Sequence, residues 1–312
     1  MADETTPEPG RDSPARATSS AVLVPDNQLQ ADDDLQDEDS AYNFSEGSGS
    51  FLSSLKSSIL NYKYEPNDEE EQDRMDLVHH IYTLLLEGKL HLAPIGENVQ
   101  RVLDLGTGTG IWAMNFAETP PNCTFEVDDF EEEWLYRTPF DFIHARELEG
   151  CIGNHDQLFK QAFQRLNPGG YIELQGVTGK FMCDDGTIDK ATNALLWMEN
   201  LCKSAAKFGK PVDTAPHWKE KLSEAGFVDV KQEMRKLPIG MWPKDPKLKE
   251  IGKYQSVQEL QVVDSYTPRL FAHELGWSAE EVQVFIAKVK KDMKDTSIHL
   301  YLPVYFVWGR KP

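Results

Sequence analysis

The residues with the clearest chemical potential form a glycine-rich turn between an apolar strand and a helix. Residues 102–105 are apolar except for Asp104, and Gly106, Gly108 and Gly110 follow at alternate positions before an apolar helical pattern. Glycines let the backbone approach a ligand where a Cβ atom would collide. The first N–H groups of the following helix are free to bind polar or anionic atoms. The segment therefore predicts a ligand site at the end of a strand.

The spacing of these glycines distinguishes between two classes of nucleotide-binding turn. A dinucleotide-binding turn has the pattern G-x-G-x-x-G, which would place its third glycine where Ile111 stands. Here the third glycine comes one residue earlier, which disfavours an oxidoreductase. The acid-x-G-x-G-x-G arrangement resembles the S-adenosylmethionine site of Rossmann-like methyltransferases. The resemblance implies S-adenosylmethionine as the cofactor and no metal, with these residues around the cofactor: Asp104, Gly106, Thr107, Gly108 and Gly110.

The elements that must position this turn follow an alternating pattern. Strands are predicted at about 101–105, 124–129, 140–146 and 171–175, with helices at about 67–88, 109–118 and 158–166 and a turn at 167–170. Alternation at this spacing implies parallel strands joined by right-handed crossovers. We therefore predict an α/β protein with a Rossmann-like class I methyltransferase fold and a mostly parallel sheet.

The last 135 residues are predicted to complete the same sheet. Strands at about 227–237 and 298–309 would form an antiparallel hairpin, and Pro303 favours an edge position or a bulge in the second of them. Residues 238–295 form a helical excursion between the two strands, with a capping box at Ser278-x-x-Glu281. We expect this excursion, with helices near 187–208, to form a lid over the cofactor and to shape the substrate pocket.

Composition limits the classes of partner. The formal net charge is −20, and eighteen acidic against five basic residues lie in the first 75 positions. This balance argues against direct binding to nucleic acid or to an anionic membrane. The four cysteines stand singly, without metal-ligand spacing, which is typical of reduced thiols in the cytoplasm or nucleus. The sequence shows neither a signal peptide nor a membrane span.

The chain divides into two parts. Residues 1–60 are acidic and poor in aromatic residues, so they are predicted to be disordered. Residues 61–312 are predicted to form the methyltransferase domain, with a cofactor-binding core at about 95–176 and the lid and C-terminal sheet at about 177–312.

With these segments in order, the chain resembles the fungal LaeA-like (velvet-associated) methyltransferases over roughly residues 61–312. The resemblance rests on five segments: 66–74, 103–112, 125–129, 142–146 and 167–170. It implies a role in secondary metabolism, either as a biosynthetic methyltransferase acting on a small molecule or as a regulator of gene clusters with a protein partner. These two roles are not separated by the resemblance.

One departure from the family concerns the ribose site. Family members have a further strand and helix before the segment that matches 125–129, and that unit carries the carboxylate that holds both ribose hydroxyls. Here about 20 residues are absent, the size of such a unit. Two alternatives follow. In the first, the 124–129 strand pairs directly with the first strand and brings Asp128 or Glu126 to the ribose. In the second, Asp128 and Asp129 lie beside the adenine, as the matching residues of the family do.

Other candidate residues have two interpretations each. Asp104 either anchors the amino group of the cofactor or caps the amides of the loop. His144 follows a strand at the edge where ligands bind in open α/β folds, so it either contacts the cofactor, serves as a general base, or is a structural histidine. Arg146 is either an ion-pair partner or part of the pocket. Glu173 and Gln175 either line the substrate side or pair with buried groups.

We therefore predict a methyltransferase dependent on S-adenosylmethionine. The alternatives are a noncatalytic interaction protein that has lost efficient cofactor binding and a shortened gene model that folds poorly.

Overall fold

The computed structural model describes residues 28–32, 66–117 and 123–312. Its helices, in chain order, are α1 Pro66–Leu85, α2 Ile111–Ala117, α3 His155–Arg165, α4 Thr192–Lys207, α5 Trp218–Glu224, α6 Pro246–Leu275 and α7 Ala279–Lys294. Its strands are β1 Val102–Leu105, β2 Phe140–Arg146, β3 Leu166–Val177, β4 Val228–Pro238 and β5 Tyr301–Arg310. Short 3-10 turns lie at Thr187–Lys190 and Ala215–His217.

The strands form one sheet in the order β1-β2-β3-β5-β4. The pairs β1/β2 and β2/β3 are parallel, whereas β5 pairs antiparallel with both β3 and β4. Parallel neighbours require the chain to return over the sheet, and α2 and α3 lie in those connections. The structure therefore confirms a Rossmann-like α/β fold with a C-terminal antiparallel hairpin.

The strand predicted at 124–129 is wrong, because residues 123–129 have no regular secondary structure. The alternation of Phe125 and Val127 with acids predicted a strand with one buried face. In the structure these two side chains are 55% and 108% exposed, so the segment does not gain the burial that would favour pairing. Within the described residues, β1 consequently lies at the edge of the sheet and pairs only with β2.

The predicted turn at 167–170 lies inside β3. Phe140 pairs with Leu166, but Phe142 pairs with Tyr171, so the intervening residues of β3 bulge from the ladder. Gly169 has a φ of +82°, a backbone conformation that favours glycine. The prediction of a turn that separates a helix from a strand is therefore wrong, because Gly169 and Gly170 lie in β3 and exchange backbone hydrogen bonds with Lys311 at 2.9 and 2.8 Å.

Pro303 does not lie on an edge strand, because β5 is between β3 and β4. The antiparallel ladder between β3 and β5 ends at the pair Val177 and Val304. Pro303 lies one residue beyond that end; it pairs with Lys236 of β4, and its carbonyl accepts the N–H of Thr178 at 3.2 Å. The missing N–H of the proline therefore removes no bond from the β3 ladder.

Helices cover both faces of the sheet. On one face, β2 and β5 contribute Phe142 and Phe306 to a core that includes residues of α1, α4, α6 and α7. On the other face, Ile143 of β2 packs in a second core with α3 and α5. Ser278 and Glu281 form the predicted capping box at the start of α7. Among the described helices, none has the length and apolar character needed to cross a membrane.

Part of the predicted disordered head contacts the folded domain. Residues 28–32 pair with the segment before α6: the N–H of Asp32 donates to the carbonyl of Trp242, and that of Lys244 donates to Gln30, both at 2.8 Å. The prediction of disorder did not include this contact. Residues 1–27 and 33–60 lie outside the described residues.

Candidate active site

A cavity of about 760 Å³ lies where the carboxyl ends of β1, β2 and β3 meet. The loops after these strands form its floor, and side chains of α1, α4 and α6 complete its wall. Ligands in open α/β sheets bind outside the carboxyl ends of the strands, as they would here. The prediction that helices near 187–208 and within 238–295 shape the pocket agrees with this lining.

The glycine-rich turn forms the β1 side of the cavity. Gly106 and Gly108 line it and have φ values of +62° and +56°. A Cβ atom at Gly106 would overlap with Cδ2 of Leu148, and one at Gly108 would come within 3.0 Å of Met75 Sδ. The turn therefore needs glycine both for its backbone conformation and for the space around it. Gly110 also has a positive φ, but it is outside the lining and its Cβ would meet Phe125 at 2.7 Å.

Asp104 connects the turn to the neighbouring strand. Its Oδ2 accepts a hydrogen bond from Thr107 Oγ1 at 2.7 Å, and its Oδ1 lies 2.7 Å from Nδ1 of His144. The imidazole of His144 stacks on Trp112, with ring centroids 3.7 Å apart and an interplanar angle of 3°. One carboxylate thus fixes both the glycine turn and the orientation of a fully buried histidine.

The surroundings of His144 favour its neutral form. Burial lowers the pKa of His144 from its ordinary value, although the carboxylate of Asp104 acts in the opposite direction. The contact with Asp104 assigns the proton to Nδ1, so Nε2 presents a lone pair. Nε2 is buried and makes no hydrogen bond of normal geometry among the described residues, although an interaction with Gln175 also raises the pKa of the ring. His144 lines the cavity, so the structure is compatible with both a structural role and contact with a ligand.

Arg146 belongs to a polar network beneath α1 and also lines the cavity. Its Nε donates to Gln175 Oε1 at 2.8 Å, and its terminal nitrogens lie 3.2 Å from His79 Nδ1 and 3.3 Å from the Leu90 carbonyl. Its guanidinium lies 4.8 Å from the ring centroid of Tyr82. Burial lowers the pKa of His79 to about 4, so His79 accepts from the guanidinium as a neutral ring. These bonds hold α1 over the sheet.

Glu173 and Gln175 pair with buried groups and do not line the cavity. The carboxylate of Glu173 accepts the backbone N–H of Leu92 at 2.9 Å and that of Ala93, and it also accepts from Gln175 Nε2. Burial raises the pKa of Glu173, against these hydrogen bonds. These groups therefore fix the loop between α1 and β1.

Three carboxylates that the sequence reasoning missed also line the cavity: Glu147, Glu149 and Glu259. Tyr82 donates a short hydrogen bond to Glu147 Oε1, and Gln255 Nε2 donates to Glu259 Oε2 at 3.0 Å. Burial raises the pKa of all three, that of Glu259 to about 7. The position of Glu147 and Glu149 directly after a predicted strand, at its carboxyl end, could have indicated them. Nothing in the sequence indicated Glu259, which lies on α6.

Asp128 and Asp129 lie outside the cavity lining. Each accepts from a nearby backbone N–H at 2.9 Å, Asp128 from Asp129 and Asp129 from Glu131. The proposed pairing of this segment with β1 is wrong, because residues 123–129 are in coil. Contact of these acids with adenine or ribose stays a prediction. In the described part of the chain, no group of His, Cys, Asp and Glu side chains is arranged to hold a metal ion.

Comparisons with known proteins identify the family of the chain. The family described as "Methyltransferase domain" matches residues 77–232, which include the glycine turn, His144 and Glu149. Methyltransferase pytC of Aspergillus terreus is 33% identical, over 95% of this chain and 99% of that protein. The probable methyltransferase tdiE of Emericella nidulans is 32% identical, over 78% and 82%. The secondary metabolism regulator laeA of Gibberella zeae is 31% identical, over 79% and 86%.

The alignment with pytC also bears on the absent unit. It extends over 330 positions, more than the 312 residues of this chain, so the relative has residues without a counterpart here. The glycine turn, the fold and these relatives lead to one conclusion: the chain belongs to the fungal LaeA-like family of S-adenosylmethionine-dependent methyltransferases.

Proposed function

We propose that the protein transfers a methyl group from S-adenosylmethionine, held at the glycine turn, to a small molecule that occupies the rest of the same cavity. The observation that carries this proposal is the continuity of the cavity, which joins Gly106 and Gly108 to the walls of α4 and α6 in one volume of about 760 Å³. Small-molecule sites typically have volumes of about 300–1,000 Å³. The space is therefore adequate for a cofactor and an acceptor together.

The residues of the turn fit the proposed cofactor. S-adenosylmethionine supplies an activated methyl group on a sulfonium, so the protein has to bind and orient the reactants. Gly106, Thr107 and Gly108 offer backbone without intervening Cβ atoms at two of three positions. The carboxylate of Asp104 lies beside them and is suited to anchor an ammonium group. We propose these four residues as the cofactor-binding set.

The walls of the cavity support a small-molecule acceptor. Side chains of α1, α4 and α6 lie over the glycine turn and limit access from solvent. Such walls hold an acceptor in line with the methyl group, which is the main contribution a protein makes to this displacement. The relatives include both a methyltransferase and a regulator of secondary metabolism. We propose a biosynthetic acceptor on the basis of the cavity, in the cytoplasm or nucleus, where free cysteines stay reduced.

A second candidate is a noncatalytic interaction protein, and one observation favours it. In the described residues, β1 lies at the sheet edge, where the resemblance implies a further strand that carries the ribose-binding acid. Loss of one charge-assisted hydrogen bond costs about 1.5–3 kcal/mol, or roughly ten- to hundredfold in affinity. Binding of the cofactor separates the two candidates.

The test compares two glycine variants of the full chain by calorimetric titration with S-adenosylmethionine and S-adenosylhomocysteine. Gly106→Ala and Gly169→Ala each place alanine at a positive φ, which costs about 1–2 kcal/mol. Only Gly106→Ala adds an overlap, with Leu148, because no atom lies within 4 Å of a Cβ at Gly169. We expect Gly106→Ala to weaken cofactor binding at least tenfold and Gly169→Ala to leave it unchanged.

Failure of a folded wild-type protein to bind either ligand would overturn the proposal and favour the interaction protein. Equal loss of affinity in both variants would show that the effect arises from general destabilisation. Unfolding in urea, followed by circular dichroism, supplies the stability of each variant.

A further inference from the structure

The cavity has one side built from three carboxylates, here named the carboxylate wall: Glu147, Glu149 and Glu259. The first two follow β2, and Glu259 reaches the same cavity from α6. The three carboxylates also interact electrostatically, because the charge of Glu147 raises the pKa of both Glu149 and Glu259 in addition to the effect of burial. Like charges gathered in a partly buried space are costly unless a counter-charge joins them.

The charges of Arg74 and Arg146 lower the pKa of Glu147, and that of Arg74 lowers the pKa of Glu259, but no cation in the described part of the chain acts in this way on Glu149. Among the described residues, no ion pair involves any member of the carboxylate wall. Arg74 pairs with Glu71 at 2.6 Å, and Arg146 donates to Gln175. The wall therefore has unused capacity to accept hydrogen bonds from a cation.

Within the part of the chain that the structure describes, two residues of the cavity lining also have a buried side-chain atom without a partner. These atoms are Glu149 Oε1 and His144 Nε2. His144 Nε2 is an acceptor, since His144 directs its N–H to Asp104, and Glu149 Oε1 is an acceptor when the carboxyl is ionised. His144 is fully buried. A ligand that completes these contacts must therefore bring hydrogen-bond donors.

The backbone at Glu147 of the carboxylate wall has a conformation that this residue type rarely adopts. Glu147 has a φ of +54°, in the left-handed region that a residue with a Cβ rarely adopts. Strained residues of this kind cluster at ligand-binding and active sites. The carboxylate of Glu149 occupies the space that Gly176 leaves free, where any Cβ would overlap with its Oε1. Glu149 is thereby held at the end of β2.

The side of the cavity formed by α4 and the residue after it is apolar, in contrast to the carboxylate wall. Trp197, Met198, Leu201 and Phe208 line it, and Phe208 is 65% exposed at the mouth. An acceptor that fills this cavity therefore contacts apolar side chains over part of its surface and carboxylates over another part.

From these contacts we infer that the acceptor substrate is a small molecule with an apolar body and a cationic nitrogen, a protonated amine or a related group, that the carboxylate wall binds through Glu149 and Glu259. This inference rests on the proposed function, since it specifies the substrate class of the same cavity. A cation favours the ionised form of these carboxyls, whereas a neutral alcohol supplies no counter-charge and a carboxylate adds a further negative charge. Charge complementarity thus selects the amine and rejects the acid.

The probes are naphthylmethylamine, naphthylmethanol and naphthoate, which share an apolar body and differ in charge. Each is titrated by calorimetry into the full chain saturated with S-adenosylhomocysteine. We expect the amine to bind at least tenfold more tightly than the alcohol, and naphthoate to bind most weakly, because a hydrogen bond to a charged group is worth about ten- to hundredfold in affinity.

Glu149→Gln preserves the shape of the side chain and removes its ability to carry a negative charge opposite a bound cation. This variant should lower the affinity for the amine at least tenfold and change that for the alcohol less than about threefold. The matched control is Glu199→Gln, which removes an exposed carboxylate from α4 that pairs with Lys203 outside the cavity. It should alter neither affinity. Glu259→Gln provides a second test if Glu149→Gln does not fold.

Several outcomes would overturn the inference. Naphthoate that binds as tightly as the amine, or an amine preference that survives in both Glu149→Gln and Glu259→Gln, would show that the wall does not select a cation. A variant that weakens binding of S-adenosylmethionine relative to S-adenosylhomocysteine, with the amine unaffected, would show that the wall serves the sulfonium.

Binding of S-adenosylhomocysteine by the wild type is measured first and tests the proposed function separately. If it is absent, the probe series in the free protein still decides the charge preference of the wall.

Discussion

Asp104 offers the sharpest test of the cofactor site, because one side chain serves both the turn and His144. In Asp104→Asn, the amide oxygen still accepts the N–H of His144, and the Thr107 hydroxyl can accept from the new amide instead of donating. The variant therefore keeps two hydrogen bonds and loses their charge. Bonds to charged groups contribute about 1.5–3 kcal/mol and neutral ones about 0.5–1.5 kcal/mol. We expect the free energy of unfolding to fall by about 1–2 kcal/mol.

The effect on the cofactor is expected to be separate. If the carboxylate anchors the ammonium group of S-adenosylmethionine, its loss removes a charge-assisted bond and should weaken binding roughly ten- to hundredfold. Calorimetric titration measures the affinity, and urea unfolding measures the stability of the same sample.

Asp141→Asn is the matched control. Asp141 lies near the other end of β2, outside the cavity, and its Oδ2 accepts from the backbone N–H groups of Gln100 and Arg101 at 2.8 and 2.9 Å. This variant should lower stability by a similar amount and leave the affinity unchanged. An Asp104→Asn protein that binds S-adenosylmethionine within about twofold of wild type would refute the anchoring role. It would leave Asp104 as a residue that only caps the turn.

Two further predictions concern stability. Burial lowers the pKa of His79 and of His155 to about 4, whereas an unfolded histidine titrates near 6.5, so the unfolded state binds more protons as the pH falls through this window. At pH 5, each histidine should therefore remove about 2 kcal/mol from the free energy of unfolding. Urea unfolding at pH 7 and at pH 5 should show that wild type loses more stability between the two values than the double variant His79→Gln/His155→Gln does. Equal losses of stability would contradict the assignment of the pH dependence to these two histidines. Replacement of Arg146 by methionine removes the donors to Gln175 and His79, and two buried acceptors left unpaired should lower the free energy of unfolding by about 2–4 kcal/mol. A smaller urea-midpoint shift than that of Asp141→Asn would show that the network contributes little.

Local patterns in the sequence predicted most elements of the fold. Glycine spacing located the turn at Gly106, alternation and capping residues located β2 and α7, and the hairpin of β4 and β5 followed from two apolar segments. The error at 124–129 has a different origin. Its alternating residues are compatible with a strand, but a strand also needs a neighbour and a covered face, and both depend on the rest of the fold.

Some features of the site likewise follow from local sequence, and others depend on the tertiary structure. The sequence by itself determined that a glycine turn with Asp104 beside it would follow a strand and precede a helix, because the three segments are contiguous and their conformations are set by local residues. Only the tertiary structure decided that Asp104 bonds to His144 and that Glu259 of α6 lies with Glu149 in one cavity. It also left β1 at the edge of the described sheet. Contacts of this kind join residues far apart in the chain, and their identity depends on how helices pack across the sheet, which no local pattern encodes.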